Sequence, residues 1–187
     1  MRPGETAGIV ACVSVLAFTE AVSTPQEQPA DSVFEQSVLE FVYNIPAAFR
    51  STHLQQGYFP TPVGDVPFRV QTWRSDTDAI SVKITVMPEA WWQSASGRQF
   101  EQAKAEITRD PRVHVLSDRD YSVSGCAAHS IVFDQRGETD EFRRIDYFLV
   151  KPDLRVVMYT SPNEEGVHGA VCKKLFESIS IKPKPGR

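Results

Sequence analysis

The stretch that most constrains this chain is residues 124–162. Three apolar runs lie within it, at 126–133, 142–150 and 154–160, all rich in Val, Ile, Phe or Tyr. Charged or turn-forming residues separate them. Runs of this length and composition read as strands. Connections this short join antiparallel neighbours, so the spacing predicts a three-stranded meander. A sheet this apolar needs cover, and the flanking sequence must supply it.

The rest of the chain is long enough to do so. It has 187 residues, 41% of them hydrophobic and 24% charged, which suits one domain with a short extension. The net charge of −4 excludes the basic footprint of a nucleic-acid binder. Residues 8–18 form an uninterrupted weakly polar to apolar run, too short for a bilayer span of roughly 20 residues. Arg2 precedes this run, and Ala21, Val22 and Ser23 follow it. The pattern predicts a signal peptide at 1–23 and an exported protein, periplasmic or secreted, with no stable transmembrane span after cleavage. The segment Ile9-Val10-Ala11-Cys12 is similar to a lipoprotein box, but the apolar run before Cys12 is too short for lipidation to be expected. Residues 24–37, with two prolines, read as a linker. The folded domain is expected at 38–181 and a flexible tail at 182–187.

Taken in order, residues 39–45 alternate like a half-buried strand that Pro46 ends. Residues 47–67 hold Pro60, Pro62, Pro67, Gly57 and Gly64, and are expected to be a long surface loop. Residues 68–73 and 79–87 read as a hairpin about a turn at 75–78. Trp91 and Trp92 follow in a connection. Phe100, Ala103 and Ile107 fall at helical spacing within 97–109. Short strands are expected at 113–116 and 121–123, around an acidic turn at 117–120. After the meander, whose 151–153 link reads as a type I turn, Asn163 is placed to cap a helix. The buried face of that helix is expected to be Val167, Ala170, Val171 and Leu175. A last edge strand is expected at 178–181. The order of strands, helix, strands, helix predicts an α+β fold with a mostly antiparallel sheet flanked by helices.

No catalytic signature stands out, and neither an enzyme activity nor a cofactor is expected. His53, His114, His129 and His168 are scattered; His114 and His129 on neighbouring strands are the one metal idea, and a metal site is not expected. Cys126 with His129 suggests a cysteine nucleophile, but residues three apart in a strand face opposite ways. Cys126 and Cys172 form an even pair after the signal, consistent with a disulfide or with two buried thiols. Glu138, Asp140 and Glu141 read as solvated loop charges, whereas Arg144, Asp146 and Arg155 are placed to form a charge ladder across strands.

The residues of 39–46 (LEFVYNIP), the strand at 82–88, the helix after it, the 125–162 meander and the closing 176–181 (FESISI) together resemble the PsbP-like superfamily, with exported DcrB-like bacterial proteins as the nearest branch. The resemblance implies a single α/β/α sandwich and a non-enzymatic role in binding a protein partner. Aromatic residues are the usual anchors of such contacts. The candidate contact residues are Trp91 and Trp92, with Tyr58 and Phe59 in the expected 47–67 loop. For the tryptophan pair the competing reading is a plug over one end of the core. The second functional expectation is a small-ligand or lipid carrier with a pocket between sheet and helix.

Overall fold

The computed structural model describes residues 39–61, 64–94, 98–137 and 140–184. The signal and lipidation expectations, and all of the linker, lie outside the described residues. Nine strands and four helices are present in the described chain. The strands are β1 (Leu39–Val42), β2 (Arg50–Thr61), β3 (Gly64–Arg74), β4 (Ala79–Val86), β5 (Val113–Val123), β6 (Cys126–Gln135), β7 (Glu141–Val150), β8 (Asp153–Ser161) and β9 (Ser180–Pro183). The helices are α1 (Glu89–Ser94), α2 (Gln99–Thr108), α3 (Glu164–His168) and α4 (Ala170–Glu177).

The fold is α+β, and every strand pairing is antiparallel. Seven strands form one sheet in the order β2-β3-β4-β8-β7-β6-β5, and β1 pairs with β9 in a separate ribbon. The meander of β6, β7 and β8 sits near the middle of the large sheet, as its apolar runs require. Because strand side chains alternate, even-numbered residues of β6 and β7 share a face with odd-numbered residues of β8. Ala128, Val132, Phe148, Val157 and Tyr159 pack on that face with Val167, Cys172, Leu175 and Phe176 of α3 and α4. On the opposite face, Ile131, Phe133, Ile145, Tyr147 and Leu154 pack with Trp91, Ala103 and Ile107 of α1 and α2.

Several local expectations are corrected. The expected 47–67 loop is instead β2 and the start of β3, paired from Arg50↔Arg74 to Thr61↔Gly64. The two short strands around residues 117–120 are one strand, β5; after an irregularity between Val115 and Ser117, the polar segment 117–120 pairs regularly with β6. The single C-terminal helix is two, because Gly169 takes an extended conformation between them. A Cβ at Gly169 would stand 2.6 Å from the Glu165 carbonyl oxygen, so the break requires glycine. The break also resets the helical phase: Val171 is exposed, and Cys172, Leu175 and Phe176 are buried. In the expected tail, Lys182 and Pro183 belong to β9 and pair with Glu40 and Leu39. The Lys151–Pro152 peptide is cis, not the trans form of a type I turn.

The β5–β6 connection is a two-residue turn, with Val123 opposite Cys126. Ser124 and Gly125 both have positive φ, 51° and 79°. Such turns match the right-handed twist of the strands they join. Ser124 Oγ also accepts a bond from the Ile181 N–H at 3.1 Å, which ties the turn to β9. Gly125→Ala has open space around its Cβ, so its cost is conformational only. We expect it to lower stability by about 1–2 kcal/mol, read as a lower urea midpoint with an unchanged slope.

Candidate functional site

The sequence-predicted contact residues do not converge. Trp91 is 3% exposed and belongs to the core. Trp92 is half-buried, meets Trp91 edge to face at 4.8 Å, and donates its Nε1–H to the Pro152 carbonyl at 3.1 Å. That is the arrangement of a plug, not of an exposed contact. Phe59 is half-buried with Lys83 Nζ 5.1 Å from its ring. Of the four, Tyr58 alone is exposed, at 41%. Cys126 and Cys172 are free cysteines, so the disulfide expectation is corrected. Cys172 projects from α4 into the core, while Cys126 sits at the β5–β6 turn. His114 and His129 are also kept apart: His114 pairs across β6 with Asp134 and His129 pairs across β5 with Asp120. Among the described residues no group of three or more His, Cys, Asp or Glu side chains is placed to hold a metal.

The structure assembles a different site. A cleft of about 620 Å³ opens between α3–α4 and the face of β5, β6 and β7. Its floor is a carboxylate network. Asp146 is fully buried. It accepts from Arg144 Nε and an Arg144 terminal nitrogen, each at 2.9 Å, from Ser130 Oγ at 2.7 Å and from the Tyr121 hydroxyl at 2.5 Å. Strand register explains the convergence. Ser130 is directly opposite Asp146, Arg144 is two residues along the same face, and Tyr121 reaches across β6. The Arg144 guanidinium lies 3.8 Å from the centre of the Phe176 ring on α4, which anchors the helix over the network.

The network is closed within itself. Burial alone would lower the Arg144 pKa, but its hydrogen bond and charge contact with Asp146 raise it overall. Burial, reinforced by Asp146, pushes the Tyr121 phenol upward. Burial likewise pushes the Cys172 thiol up to about 12, although Arg144 opposes it. A thiol held this high carries almost no thiolate at neutral pH. The cleft walls are open by contrast. They bring Arg119, Lys173 and His168 beside Val123, Val132, Val167 and Ile179. Lys173 is 3.7 Å from Glu177 and His168 is 3.8 Å from Glu164, both as loose exposed pairs.

A second constellation occupies the other face. His129 is buried, with Nδ1 2.7 Å from Asp120 Oδ1 and its ring stacked on Phe100 of α2 at 5.1 Å. Its Nε2 lies 3.0 Å from Asp118 Oδ1 without a hydrogen bond between them. Lys104 of α2 ion-pairs with the same Asp118. The cluster latches α2 to β5 and β6. Of the expected charge ladder, Arg144 and Asp146 do meet, whereas Arg155 turns to Asp153.

No family model matches the chain, and no curated protein matches it. Among solved structures, the chain is similar to a Pseudomonas aeruginosa protein of unknown function, PA94. The identity is 17% and the TM-score 0.41, over 78% of this chain and 99% of that one. It is also similar to cyanobacterial PsbP from Synechocystis, at 12% identity and a TM-score of 0.47, over 78% of this chain and 93% of that one. The latter bears the family name that the sequence pattern resembles.

Two outcomes follow from the carboxylate network and the buried phenols. Asp146→Ala leaves the Arg144 charge uncompensated under α4 and should cost about 3–5 kcal/mol; Tyr121→Phe should cost about 1 kcal/mol. Chemical denaturation of both variants checks the order. Burial raises the pKa of Tyr121, Tyr147 and Tyr159, and pushes Tyr43 up to about 12. Folding therefore holds these protons longer than the unfolded chain does. The stability they lend is complete below about pH 10, the ordinary tyrosine value, and is lost as pH rises through the folded values. The phenolate absorbance of these four tyrosines should thus rise together with loss of the circular dichroism of the fold, not ahead of it.

Proposed function

We propose that this domain is a non-catalytic binding module that takes a small anionic ligand with an apolar portion in the cleft between α3–α4 and β5–β7. The observation that carries the reading is the division of charge in that cleft. Asp146, the buried acid, is already neutralised by Arg144, so it repels no incoming anion. Arg119 and Lys173 outnumber Glu177 on the walls, and Val123, Val132 and Ile179 offer apolar contact beside them. A few convergent polar groups on a partly apolar wall are the usual make-up of a ligand site. We read the two helix pairs, which pack with opposite faces of the sheet, as the outer layers of an α/β/α sandwich. In that sandwich, the cleft is the gap beside one layer. We place the domain outside the cytoplasm, on the strength of the run at 8–18 and the small residues that follow it.

Of the four expected partner contacts, Tyr58 is the exposed one, and it lies on strand β2 rather than in a loop. The cleft reading is tested with octanoate and inorganic phosphate as probes, by isothermal titration calorimetry on the folded protein. Octanoate should bind more tightly than phosphate. Arg119→Ala and Lys173→Ala should each weaken it about tenfold, the worth of one charge-assisted contact. Absence of heat with both probes, together with bare protein by native mass spectrometry after purification from cells, overturns the reading.

A further inference from the structure

The two edges of the large sheet are built differently. β5 carries an irregularity at Val115/Ser117 followed by Asp118, Arg119 and Asp120, the charges and bulges by which proteins guard an edge. β2, at the other edge, has its irregularity at its start, between Ser51 and His53. From His53 to Thr61 it pairs regularly with β3 and contains no Asp, Glu, Lys or Arg. Leu54 and Tyr58, on the same face of this strand, are 55% and 41% exposed.

The direction of the free backbone groups can be worked out from the adjoining hairpin. The Ser75 N–H donates to the Asp78 carbonyl at 2.9 Å across the β3–β4 turn. Backbone groups alternate sides along a strand, so odd-numbered residues of β3 point to β4 and even-numbered ones to β2. Val66, Phe68, Val70 and Thr72 therefore bond to their partners Phe59, Gly57, Gln55 and His53. That leaves the N–H and C=O of Leu54, Gln56 and Tyr58 turned away from β3, where no described strand pairs with them. Pro60 faces the same way, where its missing N–H costs the ladder nothing.

We propose that β2 pairs antiparallel with β2 of a second copy of this chain, about a two-fold axis at Gln56. In this register Gln56 faces Gln56 of the other copy, and Leu54 of each copy faces Tyr58 of the other. All of these residues have outward backbone groups, so each pairing exchanges two N–H···O bonds. The two exposed apolar side chains cover one another on one face, and His53 meets Phe59 on the other. Centring the axis on Tyr58 instead would set Gln56 against Pro60 and lose donors. Centring it on Leu54 would set Tyr58 against Arg50. The interface is isologous, as a two-fold contact must be, and the two sheets become one.

Analytical ultracentrifugation over a range of concentrations, joined to amide hydrogen exchange, tests this pairing. The wild-type chain should sediment as a dimer. Exchange at Leu54, Gln56 and Tyr58 should slow by at least about tenfold with rising concentration, because only the paired edge protects these amides. Gln56→Pro removes an outward donor without breaking a backbone ladder bond to β3, losing only the side-chain contact with Arg69, and should give a folded monomer. If that variant does not fold, Leu54→Lys with Tyr58→Lys decides instead. Val171→Lys, at the exposed apolar residue of α4, should leave the dimer intact. A wild-type monomer at every concentration, protection that does not change with concentration, or a dimer that survives the β2 substitutions overturns the proposal. None of these outcomes bears on ligand binding in the cleft.

Discussion

A buried carboxylate in the middle of the sheet is the constraint to which the surrounding structure answers. Asp146 stands on the central strand of the meander, out of contact with water. An isolated charge in such a place is prohibitive, and its partners must therefore be in position when the sheet forms. They come from three strands: Tyr121 from β5, Ser130 from β6 and Arg144 from β7 itself. A slip of one residue in any of these pairings would turn a partner to the other face. The net stabilisation from such a cluster is modest beside that of apolar packing. Its stronger effect is on register, since the alternatives leave a charge unpaired. The same arginine then receives the Phe176 ring, so the position of α4 follows from the position of the carboxylate.

The parts of this arrangement that depend on local pattern could be read in the sequence. The three meander strands lie within a residue or two of the apolar runs that announced them, and Asn163 caps its helix through a side-chain bond to Gly166 N–H. The parts that depend on position within the sheet could not. Pro60 and Pro67 look like breakers, yet neither interrupts a ladder. Pro60 lies on an edge strand with its nitrogen turned out, and Pro67 lies past the last residue of β3 that pairs with β4. Asp118 and Asp120 look like a turn until His129 is placed opposite Asp120. The cleft was legible only as a charge ladder of Arg144, Asp146 and Arg155. Nothing in their spacing tells that Asp146 is the buried member, or that Tyr121 and Ser130 complete its shell.

Strand alternation also explains why the most reactive-looking residues are the least available. Cys126 and His129 point to opposite faces of β6, so the apparent pair never meets. Cys172 meets Arg144, but burial in the core outweighs the favourable charge and holds the thiol protonated. His129 and Ser130 are adjacent in sequence and anchor separate polar groups, one toward α2 and one toward α4. One strand thus carries a polar anchor for each face at successive positions. This commits His129 and Ser130 to holding the helices, and the available cations, Arg119 and Lys173, stand at the cleft rim.

That placement bears on the ligand proposed for the cleft. A cation buried on the floor would have to be desolvated before any ligand arrived, and Arg144 avoids that cost by keeping Asp146 as its permanent counter-ion. The rim cations remain hydrated, on long side chains that adapt to a ligand's position. Their attraction for an anion is correspondingly modest and weakens with added salt. Selectivity in such a site falls to the apolar wall of Val123, Val132 and Ile179, whose shape is set by the same strand register that holds Asp146. In the proposed ligand-binding role, the charge draws in a class of ligand and the sheet discriminates among its members.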